Sequence, residues 1–175
     1  PTPDKRGRIN VKTSRVISAI IVVDLLGFPA DMVKLTELAD EFGLIMIEDA
    51  AQALGSKLGN RRCGAFGHAA IFSFNNNKIV TGGGGGAVVT NDEWVAAQSW
   101  NLANTWRREH KWHVAHDGLA FNYRMPSLNA AMAVAQLRRI DQFLLAKKEL
   151  LQRYKTAING HASMLTPAVW QGEPN

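Results

Sequence analysis

The sequence predicts an α/β fold with a mostly parallel sheet and a long C-terminal helix. Three observations carry this. A β-branched run, an amphipathic stretch and a second apolar run succeed one another between residues 16 and 49. Two further strand-like runs flank five consecutive glycines, Gly82 to Gly86. From Ser127 to about Asn159, apolar residues recur at helical spacing.

Along the chain, residues 1–15 read as an arm or truncated connection. Val16 to Leu26 is rich in Val and Ile and reads as a buried strand, ended by Gly27-Phe28-Pro29. Asp31 is placed to cap a helix over residues 31–42, with Met32, Leu35, Leu38, Ala39 and Phe42 on one face and Gly43 at its close. Leu44 to Ile47 is a short strand that ends in Glu48-Asp49. Strand, helix and strand with short loops form a βαβ unit, which requires parallel strands.

Gly55 to Gly67 reads as a loop. Ala69 to Phe74 and Ala87 to Thr90 read as strands, and Asn91-Asp92 can cap a helix from about Glu93 to Leu102. Residues 104–120, with several Trp and His, look irregular, and Met125-Pro126 marks a boundary. The helical pattern from Ser127 is expected to break once near Phe143. The tail from His161 has no clear period. The domain division is thus an arm over 1–15, an α/β body over 16–125, and a long helix over 126–175 leading toward a truncated smaller domain.

Composition narrows the function classes. Hydrophobic residues make up 46% and charged residues 20%, which fits a globular chain and not a disordered one. The net charge of +5 suits an anionic small molecule such as a nucleotide or phosphate. No aromatic–basic interleaving points to nucleic acid, so no nucleic-acid partner is expected. Cys63 is the single cysteine, so neither an intramolecular disulfide nor a cysteine metal cluster can form, and a reducing cytoplasm is the expected location. Ile17 to Leu26 is too short for a membrane span and contains Asp24, so no membrane association is expected.

The chemistry centres on Lys78, which lies between a strand-like run and the five glycines. A lysine on a tight loop of small residues can anchor an aldehyde cofactor if it is desolvated and held in place. The glycines would let backbone approach a bulky ligand without a Cβ. Asp49 ends a strand of a parallel sheet, where α/β ligand sites lie. It could either cap a following helix or hold the protonated ring nitrogen of a pyridoxal cofactor. Gln52 could bond the ring oxygen from the same side, and Ser73 could bind a phosphate through its hydroxyl. Lys78 could equally be a solvated loop residue. The order is not that of a P-loop, because the lysine precedes the glycines.

Other residues read more simply. His110, His113 and His116 are spaced by three on an irregular segment with few carboxylates, so no metal is expected there. Cys63 reads as a small apolar residue. Arg138, Arg139, Lys147, Lys148 and Arg153 read as a solvated helix face. Leu137, Ile140, Leu144 and Leu151 read as core or dimer surface.

Four stretches in order carry a resemblance: Ile47-Glu48-Asp49-Ala50-Ala51-Gln52-Ala53-Leu54-Gly55; Gly64-Ala65-Phe66-Gly67; Phe72-Ser73-Phe74 with Lys78 four positions on; and Gly83 to Asp92. Together they resemble the DegT/DnrJ/EryC1/StrS family of pyridoxal-phosphate-dependent nucleotide-sugar aminotransferases. Asn75 to Ile79 and Asn122 to Ala131 resemble the branch acting on UDP-4-keto-6-deoxy-N-acetylhexosamines, which serves bacillosamine and legionaminic acid pathways. The likeness covers about residues 10–160. Asp24, Asn76 and Gly82 depart from it, where members commonly carry His, Gly and Thr.

The resemblance implies part of the large domain of a type I (aspartate aminotransferase-like) transferase, with pyridoxal 5'-phosphate as cofactor. It implies that Lys78 is the catalytic Schiff-base lysine and shuttles a proton. It further implies that Asp49 holds the pyridinium, Gln52 the ring oxygen and Ser73 the phosphate. Asn122 would reach the phosphate in a neighbouring subunit, so a homodimer is expected. Lys78 argues against the family's dehydratases, which carry His there. Glutamate would donate the amino group to a 4-keto-6-deoxy nucleotide sugar in a ping-pong scheme. Members are longer, with an N-terminal phosphate clamp and a stacking aromatic ring that residues 1–15 do not replace. The alternative reading is therefore a catalytically inactive remnant acting as a folding or oligomerisation module.

Overall fold

A computed structural model describes residues 9–108 and 110–157. The start of the expected arm, the end of the long helical pattern and the tail from His161 lie outside the described residues.

The β-branched segment Ala19–Val23 forms β1. Helix α1, Met32–Phe42, follows it. The Asp31 side chain accepts the Lys34 N–H at 3.4 Å at the start of this helix, and Gly43 closes it in the left-handed region at φ 60°. α1 buries Met32, Ala39 and Phe42, and Met32 and Ala39 pack with Val22 and Met46 of the sheet. This helix is the crossover that makes the next strand, β2 (Ile45–Asp49), parallel to β1, with Ile21 opposite Ile47 and Val23 opposite Asp49.

A small antiparallel pair follows, β3 (Lys57–Leu58) and β4 (Arg61–Arg62). β5 (Ala69–Ser73) pairs parallel with β2, placing Asp49 opposite Ile71. β6 (Gly86–Thr90) pairs antiparallel with β5, placing Ser73 opposite Gly86. The four-stranded sheet has the order β1-β2-β5-β6. Asp92 caps α2 (Glu93–Ala103), its side chain accepting the Trp94 and Val95 N–H groups at 2.8 and 3.0 Å. After the irregular stretch come α3 (Ser127–Leu137) and α4 (Ile140–Ala157). Phe74, Val80 and Ala133 form a second core with Leu137, Ile140 and Phe143 against it, which joins this helical layer to the loop after β5.

Three expectations need correction. The first strand ends at Val23; Leu25–Gly27 is a single 3-10 turn with Leu26 at φ 56°. An apolar run cannot show that this turn is held from elsewhere, by Gln52 accepting the Leu26 N–H at 2.6 Å. The expected loop Gly55 to Gly67 contains the β3–β4 hairpin. The break in the last helical stretch falls at Arg138-Arg139 and not near Phe143. There the helix tightens, with the Arg139 N–H reaching back to the Gln136 carbonyl at 2.9 Å, while Phe143 stays helical and packs on the second core.

The basic positions Arg138, Arg139, Lys147, Lys148 and Arg153 are exposed, Cys63 is buried, and Leu151 is exposed. Among the described residues no helix is long and apolar enough to cross a membrane.

Candidate functional site

The parallel strands β1, β2 and β5 end along one edge of the sheet, and that edge is where α/β folds hold ligands. Asp49 is the last residue of β2, Ser73 the last of β5, and Gln52 lies on the turn after β2. Because β6 runs against β5, the connection carrying Lys78 leaves and re-enters the sheet at this same edge. The Phe74 N–H to Gly85 carbonyl bond at 2.9 Å closes its base, and the Gly82 N–H reaches the Phe74 carbonyl at 3.0 Å. Topology therefore places Asp49, Gln52, Ser73 and Lys78 along one edge.

Asp49 is half-buried, and its Oδ1 accepts the Ala51 N–H at 3.1 Å, so it does organise the turn that follows. Its Oδ2 has no hydrogen bond among the described residues. Ser73 Oγ accepts the Asn75 N–H at 3.3 Å, which leaves the hydroxyl proton able to donate. Gln52 Oε1 accepts the Leu26 N–H at 2.6 Å, which ties the turn after β2 to the turn after β1. Lys78 is half-buried and its N–H bonds the Asn75 carbonyl at 3.1 Å.

Residues on α3 that sequence reasoning passed over hold the lysine loop. Gln136 Oε1 accepts the Thr81 N–H at 3.1 Å, and its Nε2 donates to the Thr81 carbonyl at 2.8 Å. Asn129 Nδ2 donates to the Gly82 carbonyl at 2.5 Å. The Thr81 hydroxyl bonds the Phe74 carbonyl at 3.2 Å and accepts the Gly83 N–H at 2.8 Å. Val80 between them is fully buried. The only sequence signal was polar Gln136 and Asn129 within a mostly apolar helix, and nothing local linked them to Thr81.

The glycine run lets the protein close on itself. A Cβ on Gly86 would lie 2.5 Å from the Phe72 carbonyl oxygen, and one on Gly82 would lie 2.9 Å from that of Asn129. A Cβ on Gly85 would meet Met125 Sδ at 2.6 Å. These three glycines let the protein's own backbone and side chains close on the loop; only Gly84 has nothing within 4 Å.

Asn122 is not brought to the other four. It pairs with Asn104 beyond the end of α2 and lines a separate cleft of about 530 Å³ with Trp100, Arg107, Arg108, His110 and Arg124. Arg108 forms an ion pair with Asp117, and Arg124 stacks over Trp100 at 5.4 Å. His110 Nδ1 accepts the Trp112 and His113 N–H groups, and His116 Nδ1 meets the Thr105 carbonyl.

The donor set at the sheet edge suits an aromatic aldehyde phosphate. A carboxylate with an unengaged oxygen matches a protonated ring nitrogen, an amide NH2 matches a phenolic oxygen, a hydroxyl matches a phosphate, and an amine matches an aldehyde.

The chain is similar to known proteins. A family model described as the DegT/DnrJ/EryC1/StrS aminotransferase family matches residues 6–173. GDP-perosamine synthase of Vibrio cholerae is 38% identical over 90% of this chain and 41% of its own length. A putative pyridoxal phosphate-dependent aminotransferase of Bacillus subtilis, EpsN, is 37% identical over 92% of this chain and 41% of its own. The crystal structure of a DegT DnrJ EryC1 StrS aminotransferase from Brucella abortus superposes with a TM-score of 0.76 and 32% identity, covering 86% of this chain and 40% of that one. The chain thus spans about 41% of the length of these curated relatives.

Proposed function

Because the chain belongs to the DegT/DnrJ/EryC1/StrS aminotransferase family, whose aminotransferases depend on pyridoxal phosphate, we propose that it forms part of an enzyme transferring an amino group from glutamate to a 4-keto-6-deoxy nucleotide sugar. The family relation supports the reaction class. The observation that carries the site is the gathering of Asp49, Gln52, Ser73 and Lys78 on one sheet edge.

In this reading the cofactor, when bound, supplies the electron sink that weakens bonds at the amino-bearing carbon. The chain's own residues do the rest. Lys78 Nζ provides the covalent anchor and then carries a proton from one carbon to the other. Asp49, through Oδ2, keeps the ring nitrogen protonated. Gln52 would meet the ring oxygen from the turn after β2, whose position its bond to the Leu26 N–H fixes. Ser73 donates its hydroxyl to the phosphate.

Asn122 lies in a different cleft of the same chain, so in this reading it serves a second copy's cofactor phosphate across a homodimer interface. Arg107 and Arg124 beside it supply positive charge facing the same cleft.

Addition of pyridoxal phosphate to the pure protein tests the reading. A visible absorption band that disappears in Lys78→Ala is the expected result, followed by its loss on adding glutamate. GDP- and UDP-linked 4-keto-6-deoxy sugars, offered separately, then report which base is accepted. Absence of any band with the wild-type chain at about millimolar cofactor would favour a folding or oligomerisation module over a holoenzyme.

A further inference from the structure

Two carboxylates and a thiol lie together in the interior, beneath the candidate site. Asp24 and Glu48 are both fully buried and Cys63 is 4% exposed. Their ligand-type atoms all lie within 4.8 Å of one another. Asp24 follows β1, Glu48 stands on β2 next to Asp49, and Cys63 follows the β3–β4 hairpin. Glu48 is well served on both oxygens: Oε1 accepts the Gly64 N–H at 2.5 Å and Oε2 the Phe66 N–H at 3.0 Å. Asp24 Oδ1 accepts the Ala30 N–H at 2.9 Å, but Oδ2 is buried with no partner.

Two unpaired negative charges cannot be held at this separation in the interior without compensation. Among the described residues no lysine, arginine or histidine pairs with either carboxylate. Arg61 is turned instead to the Ala65 carbonyl and the Phe66 ring. A resident cation is poorly served, because Asp24 Oδ2 and Cys63 Sγ are the only ligand atoms of the three side chains not already accepting a backbone N–H, and zinc takes four ligands. A proton meets the requirement with no further ligand.

We propose that the Asp24–Glu48–Cys63 cluster binds one proton at neutral pH, held between the Glu48 carboxyl and the orphaned Oδ2 of Asp24, with Cys63 as a neutral thiol. Burial pushes the Glu48 carboxyl up, with Asp24 adding to the rise while the Gly64 and Phe66 N–H groups oppose it. Burial likewise pushes the Cys63 thiol up, reinforced by Asp24 and Glu48.

The proton ties β1 to the site. The Asp24 N–H donates to the Asp49 carbonyl at 3.1 Å, and the turn after Asp24 is the one that orients Gln52. Loss of the proton sets two carboxylates against each other at the root of that turn.

Folding takes up a proton wherever folded Glu48 keeps it and unfolded glutamate has lost it. The contribution of Glu48 to stability is therefore full below the ordinary glutamate range and is lost as pH rises, until folded Glu48 ionises. The test is thermal melting and chemical unfolding of the parent, Asp24→Asn and Glu48→Gln from about pH 5 to about pH 9. The parent's folding constant is expected to fall by up to ~10-fold per pH unit, the slope of one proton. In Asp24→Asn the amide supplies the missing N–H and removes one charge, so that slope is reduced while burial still acts on Glu48, and the variant is at least as stable as the parent at the alkaline end. Glu48→Gln turns an NH2 group toward a backbone N–H and is destabilised throughout.

An infrared carboxylic-acid band in the folded parent, lost at lower pH in Asp24→Asn, gives a readout independent of stability. A flat pH profile with no such band overturns the proposal. So does strong destabilisation of Asp24→Asn at alkaline pH. Zinc that raises the melting temperature of the parent and not of Asp24→Asn also overturns it, since a cation then balances the charge.

Discussion

Gln136 on α3 and Thr81 in the lysine loop are joined by a reciprocal pair of hydrogen bonds, 3.1 Å into Gln136 Oε1 and 2.8 Å out of its Nε2. The amide replaces a strand neighbour for the Thr81 backbone and fixes the loop three residues from Lys78. Replacing Gln136 by Leu leaves a part-buried N–H and carbonyl unpaired, which costs about 1–3 kcal/mol. Denaturant titration is expected to show that loss, and cofactor titration a weaker visible band than in the parent. A stable Gln136→Leu protein with an unchanged band would show that the loop needs no such clamp.

The glycine run makes a contrast within one loop. Gly86→Ala forces a Cβ to 2.5 Å from the Phe72 carbonyl oxygen, and the β5–β6 ladder must open to admit it. A loss of about 1–3 kcal/mol is expected. Gly84→Ala meets nothing within 4 Å and has no positive φ, so it is expected to be neutral or to stabilise by about 0.4–1 kcal/mol. Melting temperatures of the two variants measured side by side decide the point.

Asp92 accepts two N–H groups at the start of α2, which packs on β6. Asp92→Ala is expected to lose about 1 kcal/mol, and Asp92→Asn to keep most of it. Equal stability of Asp92→Ala and the parent would mean that the helix start is held by packing alone.

Asp49→Asn separates structure from chemistry. The amide oxygen still accepts the Ala51 N–H, so the fold is expected to melt as before. A neutral amide cannot hold a ring-nitrogen proton, so single-turnover conversion of the loaded protein by glutamate is expected to slow by about 100-fold or more. Conversion at the parental rate would remove Asp49 from its proposed role.

Much of this was legible in the sequence, and the residues show why. Strand, helix and strand between residues 19 and 49 declare themselves by periodicity, and the caps Asp31, Gly43 and Asp92 are local signals read correctly. The 3-10 turn at Leu25–Gly27 was not legible, because Gln52 acts on it from 26 residues away. The helix break expected near Phe143 falls instead at Arg138-Arg139, because Phe143 packs on the second core and stays helical, which its sequence neighbours do not reveal. Lys78 and Asp49 stood out by residue type and spacing. Gln136 and Asn129 did not, since their partners are backbone groups, and backbone groups have no identity in a sequence. Asp24 stood out as a charge within an apolar run and as a departure from a family pattern, and its burial beside Glu48 emerges in three dimensions alone.

The reversed direction of β6 has a consequence for how this chain tolerates change. Both ends of the loop from Phe74 to Gly85 are pinned to neighbouring strands at one edge. An insertion at the exposed Asn76-Asn77, short of buried Val80 and the Thr81 clamp, therefore leaves the register of every strand intact. It would still carry Lys78 away from Asp49 and Ser73. At this one place a length change is nearly silent for folding and severe for chemistry, so a chain that folds well here carries no assurance that it reacts.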